Sequence, residues 1–125
     1  MSIVAVEPIN DDDTLLRRVH PTQVVEDKNL GGWRPSSGAF TDDELSADSE
    51  ALLTKYGLNS GFCLQNYNGY SLVGLKAGFA RAAGLNVDHT PKIDNPAHVD
   101  VTGKKTKGIQ RQLAAASVWV HQEPK

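Results

Sequence analysis

Asn95-Pro96-Ala97-His98-Val99-Asp100-Val101-Thr102-Gly103-Lys104-Lys105-Thr106-Lys107-Gly108-Ile109-Gln110-Arg111 contains both kinds of element from which the chain is built. Asn95-Pro96 is a turn pair, and Ala97 to Val101 predicts a short strand. Gly103 breaks it. Beyond the glycine, Ile109, Leu113, Ala116 and Val120 recur at helical spacing, and Ala114 and Ala115 favour helix on propensity. This predicts a helix over about 105–120.

A second helix is predicted over about 42–56. Thr41 and Glu44 have the spacing of a capping box, and Phe40 with Leu45 that of a hydrophobic staple. Asp42, Asp43 and Glu44 put negative charge at the positive end of the helix dipole. Leu45, Leu52 and Tyr56 share one face, and Gly57 suits the position after the last turn. Strands are predicted at Leu15–Val19, at Tyr70–Ala77 and at Leu85–His89, with Gln23–Val25 resuming the first after His20-Pro21 breaks it. Phe79–Ala83 reads as a helical turn, and 26–38 and 59–69 as loops. The expected fold is α+β: a small mixed or antiparallel sheet packed against two main helices, about 42–56 and 105–120. Residues 1–13 read as a flexible N-terminal tail and 14–121 as a single globular domain.

Composition bounds the function. The chain has 125 residues, 39% hydrophobic and 22% charged, an ordinary balance for a folded domain. No apolar run approaches the length of a membrane span and no basic, then apolar segment opens the chain, so a cytoplasmic location without membrane partners is expected. Net charge is −2, which argues against gross nucleic-acid affinity. The distribution is uneven: residues 1–60 carry eleven acids and five Lys/Arg, whereas 61–125 carry four acids and eight Lys/Arg. The second half can therefore present a basic face or pair with the first. Cys63, the single cysteine, sits in an apolar setting and reads as an inert buried thiol.

Three stretches together resemble small bacterial proteins of uncharacterised function. They are Leu16-Arg-Arg-Val-His-Pro21, Pro35-Ser-Ser-Gly-Ala-Phe40 leading into Asp43-Glu-Leu-Ser-Ala-Asp48, and Asn95-Pro-Ala-His98 leading into Gly103-Lys-Lys-Thr-Lys107. The resemblance implies a bacterial origin and a stand-alone domain, and it transfers no chemistry.

The residues themselves suggest two sites. Lys104, Lys105, Thr106 and Lys107 crowd the start of the last helix, where the dipole already repels cations, and Arg111 follows one turn on. Free amides at such a helix start attract anions, so these residues are candidates for binding a phosphate-bearing ligand. A P-loop is excluded, because histidine stands at 98 where its first glycine belongs. The bland reading is a solvated lysine cluster answering the acidic first half. His98 and Asp100, two apart on a strand, share a face, and a carboxylate beside an imidazole orients it. With a lysine and a second imidazole such as His20, they are candidates for acid–base cleavage of a phosphodiester. The bland reading of His98 is a turn residue holding backbone groups.

His20, His89, His98 and His121 have no metal-ligand spacing, so neither metal nor cofactor is expected. The leading expectation is a non-enzymatic binding or accessory module recognising an anionic ligand, a nucleotide or nucleic acid, or an acidic protein. The alternatives are a small phosphodiesterase or nuclease-type enzyme built on His98 and Asp100, and a protein-interaction module using the acidic helix 42–56.

Overall fold

The computed structural model describes residues 4–29 and 31–124. In chain order the elements are β1 (Thr14–Val19), β2 (Val24–Glu26), β3 (Trp33–Pro35), β4 (Glu44–Ser49), α1 (Glu50–Lys55), α2 (Ser60–Cys63), β5 (Ser71–Lys76), α3 (Ala77–Ala82), β6 (Asn86–His89), β7 (His98–Thr102), α4 (Lys107–Ala116) and β8 (Val118–His121). Two 3-10 turns, Pro21–Gln23 and Ser37–Phe40, intervene. Among the described residues six strands form one sheet in the order β6-β7-β4-β1-β5-β8, antiparallel throughout, and β2 and β3 pair separately. The α+β class follows, with the antiparallel form of the sheet.

Alternation along the strands decides the layers. Leu15, Val19, Leu45, Ala47, Val73, Leu75, Val87, Val99 and Val101 share one face and are buried. Phe40 and Leu113, both fully buried, belong to the same core. The other face carries Ser46, Asp88, Asp100 and Thr102 where β4, β6 and β7 meet solvent. Near β1 that face is covered instead, and Leu16, Asp48 and Leu72 are each at most 2% exposed. Gly74 on β5 is where β8 closes in: a Cβ there would lie 2.9 Å from Thr14 Cγ2 and 3.3 Å from Val120 Cγ2.

The expected helix over 42–56 is corrected. Glu44–Ser49 is strand, and only Glu50–Lys55 is helical. Glu-Leu-Ser-Ala-Asp-Ser alternates with period two, and β7 offers it a partner for five consecutive residues. A capping box is worth about 1 kcal/mol and does not outweigh that ladder with the burial of Leu45 and Ala47. The N-cap is Ser49, whose Oγ accepts from Leu52 N at 3.1 Å and donates to Asp13 Oδ2. Gly57 ends the helix region where expected.

The helix over 105–120 is corrected at both ends. Thr106 is its N-cap, its Oγ1 accepting from Ile109 N at 3.2 Å, and the helix stops at Ala116. Val118-Trp119-Val120-His121 pairs with β5 instead, because β-branched and aromatic residues suit a pleated surface better than a helix. Short elements also occupy the two expected loops, β3 in 26–38 and α2 in 59–69.

The expectation of a flexible tail over 1–13 meets a docked segment from Glu7 onward; residues 1–3 lie outside the described residues. Ile9 is 6% exposed, Glu7 N donates to His89 Nδ1 at 2.9 Å, and Glu7 pairs with Lys55. Asp11 pairs with Arg81 at 2.7 Å. Asp13 accepts from Ala51 N at 3.2 Å, a second cap on α1. Asp13→Ala is expected to cost about 1 kcal/mol, as lost N-caps do, and to lower Tm by roughly 4 °C in a thermal melt.

Candidate functional site

The start of α4 divides its cations between the interior and the surface. Gly103 turns the chain with φ +128°, a conformation in which a side chain is strained. The turn folds Lys105 back beneath the end of β7. Its Nζ donates to Val101 O at 3.0 Å and to Gly103 O and Asp43 O at 3.1 Å, and the residue is 5% exposed. Burial pushes its ammonium below the ordinary lysine range, against the opposing pull of Asp43 and then Asp42. All three of its protons are therefore placed on backbone carbonyls. Thr106 is spent on the helix cap. Lys104 and Lys107 are exposed, and neither lines the groove or the cleft described below. Of the acids expected on a helix, Asp42 pairs with Arg17 at 3.6 Å and Asp43 gives its carbonyl to Lys105.

Arg111 lies elsewhere. It lines a groove of about 560 Å³ with Trp33, Arg34, Ser37, Ala115 and Trp119. Three elements meet there: the β2–β3 hairpin, the second half of α4, and β8. Trp119 Nε1 donates to Trp33 O at 3.1 Å and ties the hairpin to the last strand across 86 residues of sequence. These are the two tryptophans of the chain. Trp33 is 40% exposed, and Arg34 spends one bond on its neighbour's carbonyl, Nη1 to Pro35 O at 3.3 Å. Arg111 is exposed. The groove also has an acid on its wall, Asp27. Two guanidinium groups beside two indoles offer charge for phosphate oxygens and flat faces for a base.

His98 and Asp100 do share a face of β7, with Nε2 and Oδ1 3.9 Å apart, beyond hydrogen-bond reach. His98 is 6% exposed, and its Nδ1 lies 2.9 Å from Thr90 Oγ1 and 3.1 Å from Thr90 O. The other two members of the expected constellation are not near. His20 caps the 3-10 turn, its Nδ1 accepting from Thr22 N at 3.1 Å, and meets Tyr70 edge-on at 5.1 Å. The ladder puts Leu16 opposite Asp48 and Asp48 opposite His98. His20 is therefore two strands over and four residues along from His98, on the order of 15 Å. Lys104 lies past the opposite end of β7, at a comparable distance.

A different set surrounds His98. It lines a cleft of about 700 Å³ together with Arg18, Asp48, Cys63, Tyr67 and Lys92. Arg18 stands 3.8 Å from Asp48 Oδ2, donates to Cys63 O at 3.2 Å and lies 4.1 Å over the Tyr67 ring. Burial, then the adjoining Asp48 carboxylate, pushes the Cys63 thiol up, so it is no nucleophile.

Among the described residues no group of three or more His, Cys, Asp or Glu is placed to hold a metal ion, and no helix is long and apolar enough to cross a membrane. Comparison with known proteins finds no matching family model, no matching curated protein and no matching solved structure.

Proposed function

We propose that the protein is a non-enzymatic binding module for a phosphate-bearing ligand with a stackable base, a nucleotide or a short single strand. The observation that supports this reading is the meeting of Trp33, Trp119, Arg34 and Arg111 on one open groove. Guanidinium forks match phosphate oxygens two at a time, and an indole face accepts any base without regard to sequence. The lysines at the α4 entrance play no part: one is buried under the sheet and two face solvent away from the groove.

Both tryptophans belong to this groove, so intrinsic fluorescence reads it directly. Titration with adenosine triphosphate, uridine triphosphate and a short single-stranded oligonucleotide is expected to quench the emission saturably. The affinity should fall as salt rises, because the phosphate contacts release counterions. Emission unmoved by all three at millimolar concentration removes the proposal.

A further inference from the structure

Asn68-Gly69 is the chain's one Asn-Gly pair, and both residues are exposed. They form the middle of a turn from Tyr67 to Tyr70, closed by Tyr70 N donating to Tyr67 O at 3.2 Å. Gly69 has φ +82° and Asn68 lies outside the left-handed region, the pattern of a type II turn, whose third residue needs positive φ. Glycine suits that position, and it also leaves the Gly69 amide without a flanking side chain. No hydrogen bond among the described residues holds the Asn68 carboxamide. Rotation about the Asn68 Cα–C bond therefore brings an unshielded Gly69 N to the side-chain Cγ, where the two close a five-membered ring.

Four other asparagines are restrained locally. Asn95 precedes Pro96, which has no N–H to give up, and both ends of its side chain are bonded, to Asp48 at 2.6 Å and to Ala97 N at 3.1 Å. Asn59 Oδ1 accepts from Gly61 N at 2.9 Å as the cap of α2. Asn86 is fixed in β6 opposite Thr102. Asn66 shares the loop with Asn68, but the nitrogen that would attack it, Tyr67 N, donates to Leu64 O at 3.0 Å.

We infer that Asn68 is a self-modification site, where ring closure followed by hydrolysis yields aspartyl and isoaspartyl residues. In the first step the bond from Gly69 N to Asn68 Cγ forms, the Cγ–Nδ2 bond breaks, and the proton of Gly69 N leaves with ammonia. In the second, water opens one of the two ring C–N bonds. Opening at Cγ gives aspartate. Opening at the Asn68 carbonyl carbon gives isoaspartate, in which the main chain runs through Cγ. Water is the only co-reactant. Either product puts a carboxylate on the loop, and isoaspartate also lengthens the main chain between Tyr67 and Tyr70. Those rings meet edge-on at 5.2 Å, and Arg18 lies 4.1 Å over Tyr67 on the wall of the His98 cleft. The conversion thus records the age of the molecule beside that cleft and makes the chain a substrate for enzymes that methylate isoaspartyl carboxylates.

The experiment is incubation of the intact chain at mildly alkaline pH and physiological temperature, followed by tryptic digestion and tandem mass spectrometry. Asn59, Asn66 and Asn68 fall in one peptide, Tyr56 to Lys76, so fragmentation compares them within one molecule. Asn68 is expected to convert at least about tenfold faster than Asn59 or Asn66, a barrier difference of about 1.4 kcal/mol or more. The rate should climb with pH, because the attacking amide must lose its proton, and isoaspartate should accompany aspartate among the products. Asn68→Gln would need a six-membered ring and is expected to stay unmodified over the same interval. Conversion at Asn68 no faster than at Asn66, or aspartate formed without isoaspartate, overturns the inference. Both readings come from the parent chain, so they stand whether or not the variant folds.

Discussion

Lys105→Met is expected to lower the unfolding free energy by about 3 kcal/mol. Methionine keeps the length and bulk of the stem but removes all three donors. Asp43 O, Val101 O and Gly103 O then lose the only Lys105 protons that reach them, in a place 5% open to water. Hydrogen bonds to a charged group are worth about 1.5–3 kcal/mol, and Asp43 O keeps only the bond it accepts from Gly103 N at 3.1 Å. Recovering the cost of burying the ammonium offsets part of this, which is why the three bonds do not sum. For a domain of this size the loss corresponds to a fall in Tm on the order of 10 °C, read by a thermal melt. Lys104→Met, at an exposed position one residue away, is expected to change Tm by no more than a degree or two. A Lys105 variant as stable as its parent would mean that this ammonium is not the anchor between the end of β7 and the β4 entrance.

The double change Arg34→Glu with Arg111→Glu is expected to weaken nucleotide binding at least about 100-fold. Each replacement removes a charge-assisted contact of about 1.5–3 kcal/mol and puts a carboxylate against the phosphate. Both side chains are exposed, and Arg34 keeps only a bond to its neighbouring carbonyl, so the fold should be retained. The matched control is Lys104→Glu with Lys107→Glu. It alters the net charge by the same amount but outside the groove, and is expected to weaken binding less than about threefold, through the long-range field alone. Titration of the tryptophan emission measures both. Equal losses in the two pairs would show general attraction to a basic half-molecule and not recognition by the groove.

The strands were the readable part of this chain. The strands expected at Leu15–Val19, Tyr70–Ala77 and Ala97–Val101 correspond to Thr14–Val19, Ser71–Lys76 and His98–Thr102. Both helix expectations differ from the structure for one reason: the partners that decide these segments lie far away in sequence. Thr41 and Glu44 do have capping spacing, yet Glu44–Asp48 finds a five-residue ladder on β7, fifty or more residues on. Val120 does fall in phase with Ile109 and Leu113, yet β5 claims it. The same distance separates the residues that line the groove. Trp33 and Trp119 meet across 86 residues of sequence, through the bond from Trp119 Nε1 to Trp33 O. Asp48 falls inside the helix expected over 42–56, which gives it no relation to His98; as a strand residue it is paired with His98 across β4 and β7. The lysine cluster parts for the opposite reason: after the Gly103 turn, Lys105 folds under the end of β7 while its sequence neighbours Lys104 and Lys107 stay exposed.

The strand order has a consequence for biosynthesis. β1 leaves the ribosome first, but its sheet neighbours are β4 and β5, and β5 ends only at Lys76. Until then β1 has only β4, which pairs with it at Leu15 and Leu16, so the nascent chain waits with the rest of the strand unpaired. The edge position of β8 extends the delay, because Trp119 reaches Trp33 only after almost every other element has emerged. The bond from Trp119 to Trp33 O is therefore made late, after the other strands of the described sheet have been synthesised.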